Sequence, residues 1–119
     1  MLPVHLCLAL GAVGAAAFAS SEWSRRSWAA SLGRMCAAAP VAAFTSAATY
    51  PIKLSGASGT GTRVQHGWPR SFYTRWSDWE TGISAEGLSA LFYLANSTAH
   101  WGVLLLALAL WNLLRRPNG

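Results

Sequence analysis

The sequence predicts an all-α integral membrane protein with three transmembrane helices and an aromatic-rich extracytoplasmic loop. Residues 88–114 contain no Asp, Glu, Lys or Arg, and two further Ala-rich apolar runs lie at residues 2–20 and 35–52. Of the 119 residues, 53% are hydrophobic and 11% are charged, against about 25% charged in an average soluble domain. We therefore interpret residues 1–119 as a single membrane domain, with an outer loop at residues 53–87.

The run at residues 88–114 would form a helix roughly 40 Å long, more than the ~30 Å hydrocarbon thickness of a bilayer. Its first half carries four polar residues, here called the polar stripe: Ser89, Tyr93, Asn96 and His100. Their spacings of four, three and four place them on one helical face. Because a polar face toward lipid is costly, we expect the polar stripe to face another helix of this chain or another subunit.

The first two runs have weaker signals. In residues 2–20, Gly11 and Ala15 form a small-xxx-small pair that favours close helix contact. Ala17-Phe18-Ala19 also fits a signal-peptide cleavage site, but the basic segment that precedes such peptides is missing, so we favour a retained helix. Residues 35–52 contain Pro40, which predicts a kink, and few large apolar side chains, so this helix should pack between others.

The outer loop combines two compositions. Residues 55–62 are rich in Gly, Ser and Thr, which predicts a flexible linker. Aromatic residues then follow closely, and we expect them to lie at the lipid headgroups or on a partner. With the polar stripe, the following loop residues make up the predicted partner interface: Trp68, Phe72, Tyr73, Trp76 and Trp79. Thr81 or Ser84 is expected to cap the last helix.

The net charge of +5 is better explained by membrane orientation than by nucleic acid, since no basic run is longer than two residues. Three Arg in residues 20–34 and two in the C-terminal tail are expected to share the cytoplasmic side. This predicts a multi-pass protein of the bacterial inner membrane, with its N-terminus outside and its C-terminus in the cytoplasm.

His100 is the candidate cofactor residue, because ionisable groups inside a membrane helix are functional candidates. A neutral imidazole can ligate a haem iron or a chlorophyll magnesium, with His5 or His66 as a second haem ligand. Residues 95–101, together with Trp111, resemble the His-plus-Trp pattern of bacterial light-harvesting polypeptides, which implies a pigment. The competing interpretation is a His hydrogen-bonded to Asn96, Tyr93 or a neighbouring helix.

The segment Gly67-Trp68-Pro69-Arg70-Ser71-Phe72-Tyr73 resembles the outer loop of small uncharacterised bacterial membrane proteins with two or three spans. The resemblance implies a topology and no chemistry. No pairing of a nucleophile with a base stands out, and Cys7 and Cys36 are interpreted as small buried apolar residues without metal-site spacing.

These observations predict a small non-catalytic accessory or structural subunit of a larger membrane complex, with a respiratory or photosynthetic assembly as host. The expected partners are other membrane subunits and the lipid bilayer, not nucleic acid. Two alternatives remain open. One is a membrane protein that binds haem or chlorophyll through His100, and the other is a small transporter or channel formed by homo-oligomerisation through the polar stripe.

Overall fold

The computed structural model describes residues 2–23 and 28–115, and it corrects the predicted fold class. The chain is mixed α/β, not all-α, because most of the predicted outer loop folds as a sheet. The elements are α1 (Val4–Glu22), α2 (Trp28–Ala48), β1 (Lys53–Ser58), β2 (Gly61–His66), β3 (Tyr73–Asp78), β4 (Ser84–Leu88) and α3 (Ala90–Leu114). The molecule is elongated, 69 × 23 × 21 Å, with the sheet at one end of the three helices.

The four strands form an antiparallel meander in the order β1-β2-β3-β4. The segment predicted as a flexible linker is the β1–β2 hairpin, which turns at Gly59 with a positive φ of 57°. Asp78 organises the β3–β4 turn, since its side chain accepts from the backbone N–H of Glu80 at 2.9 Å. That bond is the main reason why the pKa of Asp78 lies below its ordinary value.

Strand register gives the sheet two different faces. Ser55, Val64, Arg75 and Glu86 follow one another across the four strands, so their side chains lie on one face. Arg63, next to Val64 in β2, and Trp76, next to Arg75 in β3, are cross-strand partners as well. Because side chains alternate between the two faces along a strand, this pair lies on the opposite face.

Glycine lets α1 and α3 run side by side in the same direction. A Cβ built on Gly14 would lie 2.6 Å from the Cα of Gly102, and one on Gly102 would lie 2.8 Å from the Cα of Gly11. Such distances leave no room for any side chain, so the two backbones touch. Cys7 is fully buried against Ala95 and Ala99 in this seam, whereas Cys36 is exposed and does not fit its predicted burial; both are free thiols.

The middle helix runs antiparallel to α3 and begins earlier than predicted, at Trp28 rather than near residue 35. Among the described helices, α1 and α3 are long and apolar enough to cross a membrane, and α2 is not. The prediction of three transmembrane helices is therefore wrong. The composition of α2 gives the reason, because the helix contains Arg34 and Pro40 and is rich in Ala rather than in larger apolar residues.

The end of the bundle opposite the sheet holds a second polar cluster. Glu22 is 1% exposed and pairs with Arg34, whose guanidinium lies 5.2 Å from the centre of the Phe18 ring. Asn112 donates to the Ser21 hydroxyl at 3.0 Å. Arg34, predicted to lie between the first two helices, is instead part of α2. Arg25, Arg26 and Arg116, which also served to predict orientation, lie outside the described residues.

Candidate functional site

The polar stripe of α3 meets α2 and the β2–β3 loop (residues 67–72) at the sheet end of the bundle. Asn96, which is fully buried, is at the centre. Its amide nitrogen donates to the Ser46 hydroxyl at 2.7 Å, and its carboxamide oxygen accepts from the backbone N–H of Arg70 at 2.9 Å. One side chain therefore joins α2, α3 and the β2–β3 loop.

Two further members of the stripe also bond within the chain. The Tyr93 hydroxyl donates to the carbonyl oxygen of Ala43 at 2.8 Å. Ser89 caps α3, its hydroxyl accepting from the backbone N–H of Phe92 at 3.2 Å; the predicted caps, Thr81 and Ser84, lie before this position. The stripe thus faces another helix of the same chain, one of the two arrangements expected for it, and its contact with another subunit stays a prediction.

His100 uses both ring nitrogens. Nε2 lies 2.8 Å from the carbonyl oxygen of Trp68, and since a carbonyl only accepts, Nε2 carries a hydrogen. Nδ1 lies 3.1 Å from the Thr45 hydroxyl. In the neutral ring Nδ1 must accept, so the Thr45 hydroxyl donates to it rather than to Ala42, whose carbonyl oxygen lies 3.0 Å from the same hydroxyl.

An apolar hollow lies beside His100, here called the His100 hollow. It has a volume of about 360 Å³. Its walls come from the three helices and the β2–β3 loop, and His100 and Thr45 supply its polar groups. The lining residues are Leu2, Leu10, Thr45, Trp68, Pro69, Ala99, His100, Val103, Leu104 and Ala107.

A role for His100 as a haem or chlorophyll ligand requires a free nitrogen lone pair. With Nε2 on Trp68 and Nδ1 on Thr45, ligation would break one of these hydrogen bonds. Of the other histidines, His66 stacks on Tyr50 with ring centres 4.4 Å apart, and His5 lies exposed on α1. No cluster of three His, Cys, Asp or Glu that could hold a metal occurs within residues 2–23 and 28–115.

The aromatic residues of the predicted interface differ in burial, and Tyr73 and Trp76 of β3 are half-buried. Phe72 is 5% exposed and packs edge-on against Tyr93, with ring centres 5.3 Å apart. Trp68 and Trp79 remain 57% and 61% exposed. Phe72 therefore helps to seat the sheet on the bundle, whereas Trp68 and Trp79 stay available on the outside.

Sequence reasoning missed three partners of the stripe: Thr45, Ser46 and Arg70. Thr45 and Ser46 lie in the last turn of α2 before Tyr50-Pro51, where hydroxyl residues follow an Ala-rich run, and that local change in polarity was the available signal. The sequence contains no signal for Arg70, because the donor is its backbone N–H, a group that almost every residue has.

Comparison with known proteins gave no match: no family model fits the chain, and no curated protein and no solved structure is significantly similar to it.

Proposed function

We propose that this chain is a small non-catalytic accessory subunit of a larger complex in the bacterial inner membrane. One observation carries the proposal. The buried amide of Asn96 is bonded within the chain on both its oxygen and its nitrogen, while large apolar side chains such as Phe44 and Leu94 are 75% and 62% exposed. An apolar surface of this kind is suited to contact with lipid and with partner helices, whereas the bonded polar groups stabilise the fold of the chain itself.

In this proposal α1 and α3 cross the membrane in the same direction, and α2, which is not apolar enough to span alone, returns the chain in contact with α3. Their lengths of 19 and 25 residues correspond to about 28 and 37 Å, close to the hydrocarbon thickness. The sheet and the N-terminus lie outside the cell, and the C-terminus lies in the cytoplasm. Arg34 and Arg115, at the end of the bundle away from the sheet, support this direction.

The exposed aromatic residues at the sheet end are the proposed contact with a partner subunit. Trp68 and Trp79 are large, exposed and rigid, the properties of residues that dominate the binding energy of protein interfaces. A respiratory or photosynthetic complex is the proposed host. The homo-oligomeric channel gains no support from the polar stripe, since the stripe is occupied within the chain.

Purification of the tagged protein from its native membrane in mild detergent, followed by mass spectrometry, tests the proposal. We expect other membrane subunits in a fixed ratio, and Trp79→Ala should reduce their recovery. Trp23→Ala is the matched control, because Trp23 is 72% exposed at the opposite end of the bundle. Isolation of the wild-type chain alone, or only with copies of itself, would contradict the accessory role.

A further inference from the structure

A second hollow lies on one face of the sheet and is separate from the His100 hollow. It has a volume of about 510 Å³ and is called here the sheet-face hollow. Its polar lining includes Lys53, Ser55, Arg75 and Glu86, with the rings of His66 and Tyr73 beside them. Strand register places all six residues on the same face, so their polar groups share one space.

The charged groups of this hollow differ in whether they have a bonding partner. Glu86 accepts a hydrogen bond from the Tyr73 hydroxyl, which is the main reason why the pKa of Tyr73 lies above its ordinary value. Lys53 and Arg75 form no ion pair with any residue that the structure describes. The hollow therefore holds two free cations and one carboxylate that already has a partner, a balance that suits an anion.

The position of the hollow relative to the helices narrows the choice of anion. Lys53 comes five positions after the last residue of α2, and Leu88, the strand partner of Tyr73, comes two positions before the first residue of α3. Apolar side chains are exposed at this junction: Ile52 at 47% and Leu88 at 66%. Cations therefore lie just beyond an apolar surface, which is the order in which a phospholipid presents its phosphate and its acyl chains.

We propose that the sheet-face hollow binds the phosphate group of an anionic phospholipid, with Lys53 and Arg75 as its ligands. The inference depends on the membrane placement under Proposed function and not on the accessory role. Arg75 offers the planar pair of donors that matches phosphate oxygens, and Lys53 adds a second charge. Glu86, held by Tyr73, disfavours a second anion and limits the site to one headgroup.

The test uses the full chain in neutral detergent, with lipid retention measured by native mass spectrometry. The probe is phosphatidylglycerol in mixed micelles, with phosphatidylcholine in a parallel series. We expect one phosphatidylglycerol retained per chain and weaker retention of phosphatidylcholine. The double variant Lys53→Gln/Arg75→Gln should lower phosphatidylglycerol affinity about tenfold or more. Both side chains are exposed, so the substitutions leave the fold intact.

Arg63→Gln is the matched control, because Arg63 is an exposed cation on the opposite face of the same sheet, and it should retain wild-type affinity. Glu86→Gln should strengthen binding. An equal loss in Arg63→Gln and the double variant would overturn the proposal, because it would indicate general charge attraction. Full competition by inorganic phosphate at equal concentration would assign the hollow to free phosphate and overturn the lipid assignment. Co-purified subunits are a separate readout, so failure of the accessory role is distinguishable from failure of this site.

Discussion

The carboxamide oxygen of Asn96 lies 2.9 Å from the backbone nitrogen of Arg70, so a fully buried side chain in the first half of α3 holds the loop that joins β2 to β3. The same side chain donates to Ser46 of α2. Within the junction between sheet and bundle, this one amide bonds to both α2 and the β2–β3 loop. Asn96 is a polar residue in an otherwise apolar helix, and its function in the fold is to connect α3 to α2 and to the β2–β3 loop.

Asn96→Leu should destabilise the protein strongly. The substitution keeps the number and branching of the side-chain heavy atoms but leaves the Arg70 N–H and the Ser46 hydroxyl without this partner, at about 1–3 kcal/mol for each buried group. Thermal unfolding in detergent, followed by tryptophan fluorescence, measures the loss. Asn112→Leu, which removes one bond to Ser21 at the far end, should cost less. Equal stability of Asn96→Leu and the wild type would contradict the conclusion that the hydrogen bonds of Asn96 stabilise the fold.

Gly102→Ala should separate α1 from α3. The added Cβ would collide with the backbone of Leu10 and Gly11, and overpacking of this kind costs about 1–3 kcal/mol. Gly33→Ala is the matched control, because a Cβ at Gly33 meets nothing within 4 Å. Alanine is preferred to glycine in a helix by about 1 kcal/mol, so the control should be neutral or stabilising. Comparison of the two unfolding midpoints checks this, and a destabilised control would refute the packing argument.

The visible absorption of the purified protein should show no Soret or red chlorophyll band. Both nitrogens of His100 are engaged, by Trp68 and by Thr45, which leaves no lone pair for a metal. His100→Phe should instead lower stability by about 0.5–1.5 kcal/mol, because the carbonyl oxygen of Trp68 loses a hydrogen bond. A pigment band that disappears in His100→Ala would show that the ligand role is real.

The Tyr73–Glu86 hydrogen bond should make stability fall at high pH. Because the pKa of Tyr73 is raised in the folded protein, unfolded chains lose this proton first. The contribution is complete below the ordinary tyrosine pKa of about 10 and disappears as the pH rises through the folded value. Glu86→Gln should move the Tyr73 titration back toward its ordinary range. Tyrosinate absorbance follows it, with Tyr73→Phe identifying the signal among the three tyrosines; an unmoved titration would count against the bond.

The helices could be predicted from their apolar composition. The spacing of the polar stripe predicted that its residues share one face and that this face contacts protein rather than lipid. Asn96 and His100 share a face by periodicity, and an uncovered polar face in an apolar helix needs partners inside the protein. Which partners it finds could not be predicted. The Trp68 carbonyl and the Arg70 N–H are main-chain groups, and their position depends on a loop whose path is set by the sheet.

The sheet was missed because its edge strands look like linkers. β1 contains Ser55, Gly56 and Ser58, and β4 contains Gly87, all poor strand formers. A signal was nevertheless present, since the strands begin at residues 53, 61, 73 and 84, within the spacing of about 8–12 residues that is typical of consecutive short strands. Thr62, Val64, Tyr73 and Trp76 in the central strands are the strand formers that support it.

The proposed topology places α3 across the inner membrane, with the sheet outside and the C-terminus in the cytoplasm. Labelling of single cysteines by a membrane-impermeant maleimide in intact cells tests it directly, in a Cys36→Ser background because Cys36 is exposed and Cys7 is buried. We predict that Ser84→Cys in β4 reacts in intact cells and that Leu114→Cys reacts only after permeabilisation. Reaction of both positions from the same side, or recovery of the protein in solution without detergent, would contradict the claim.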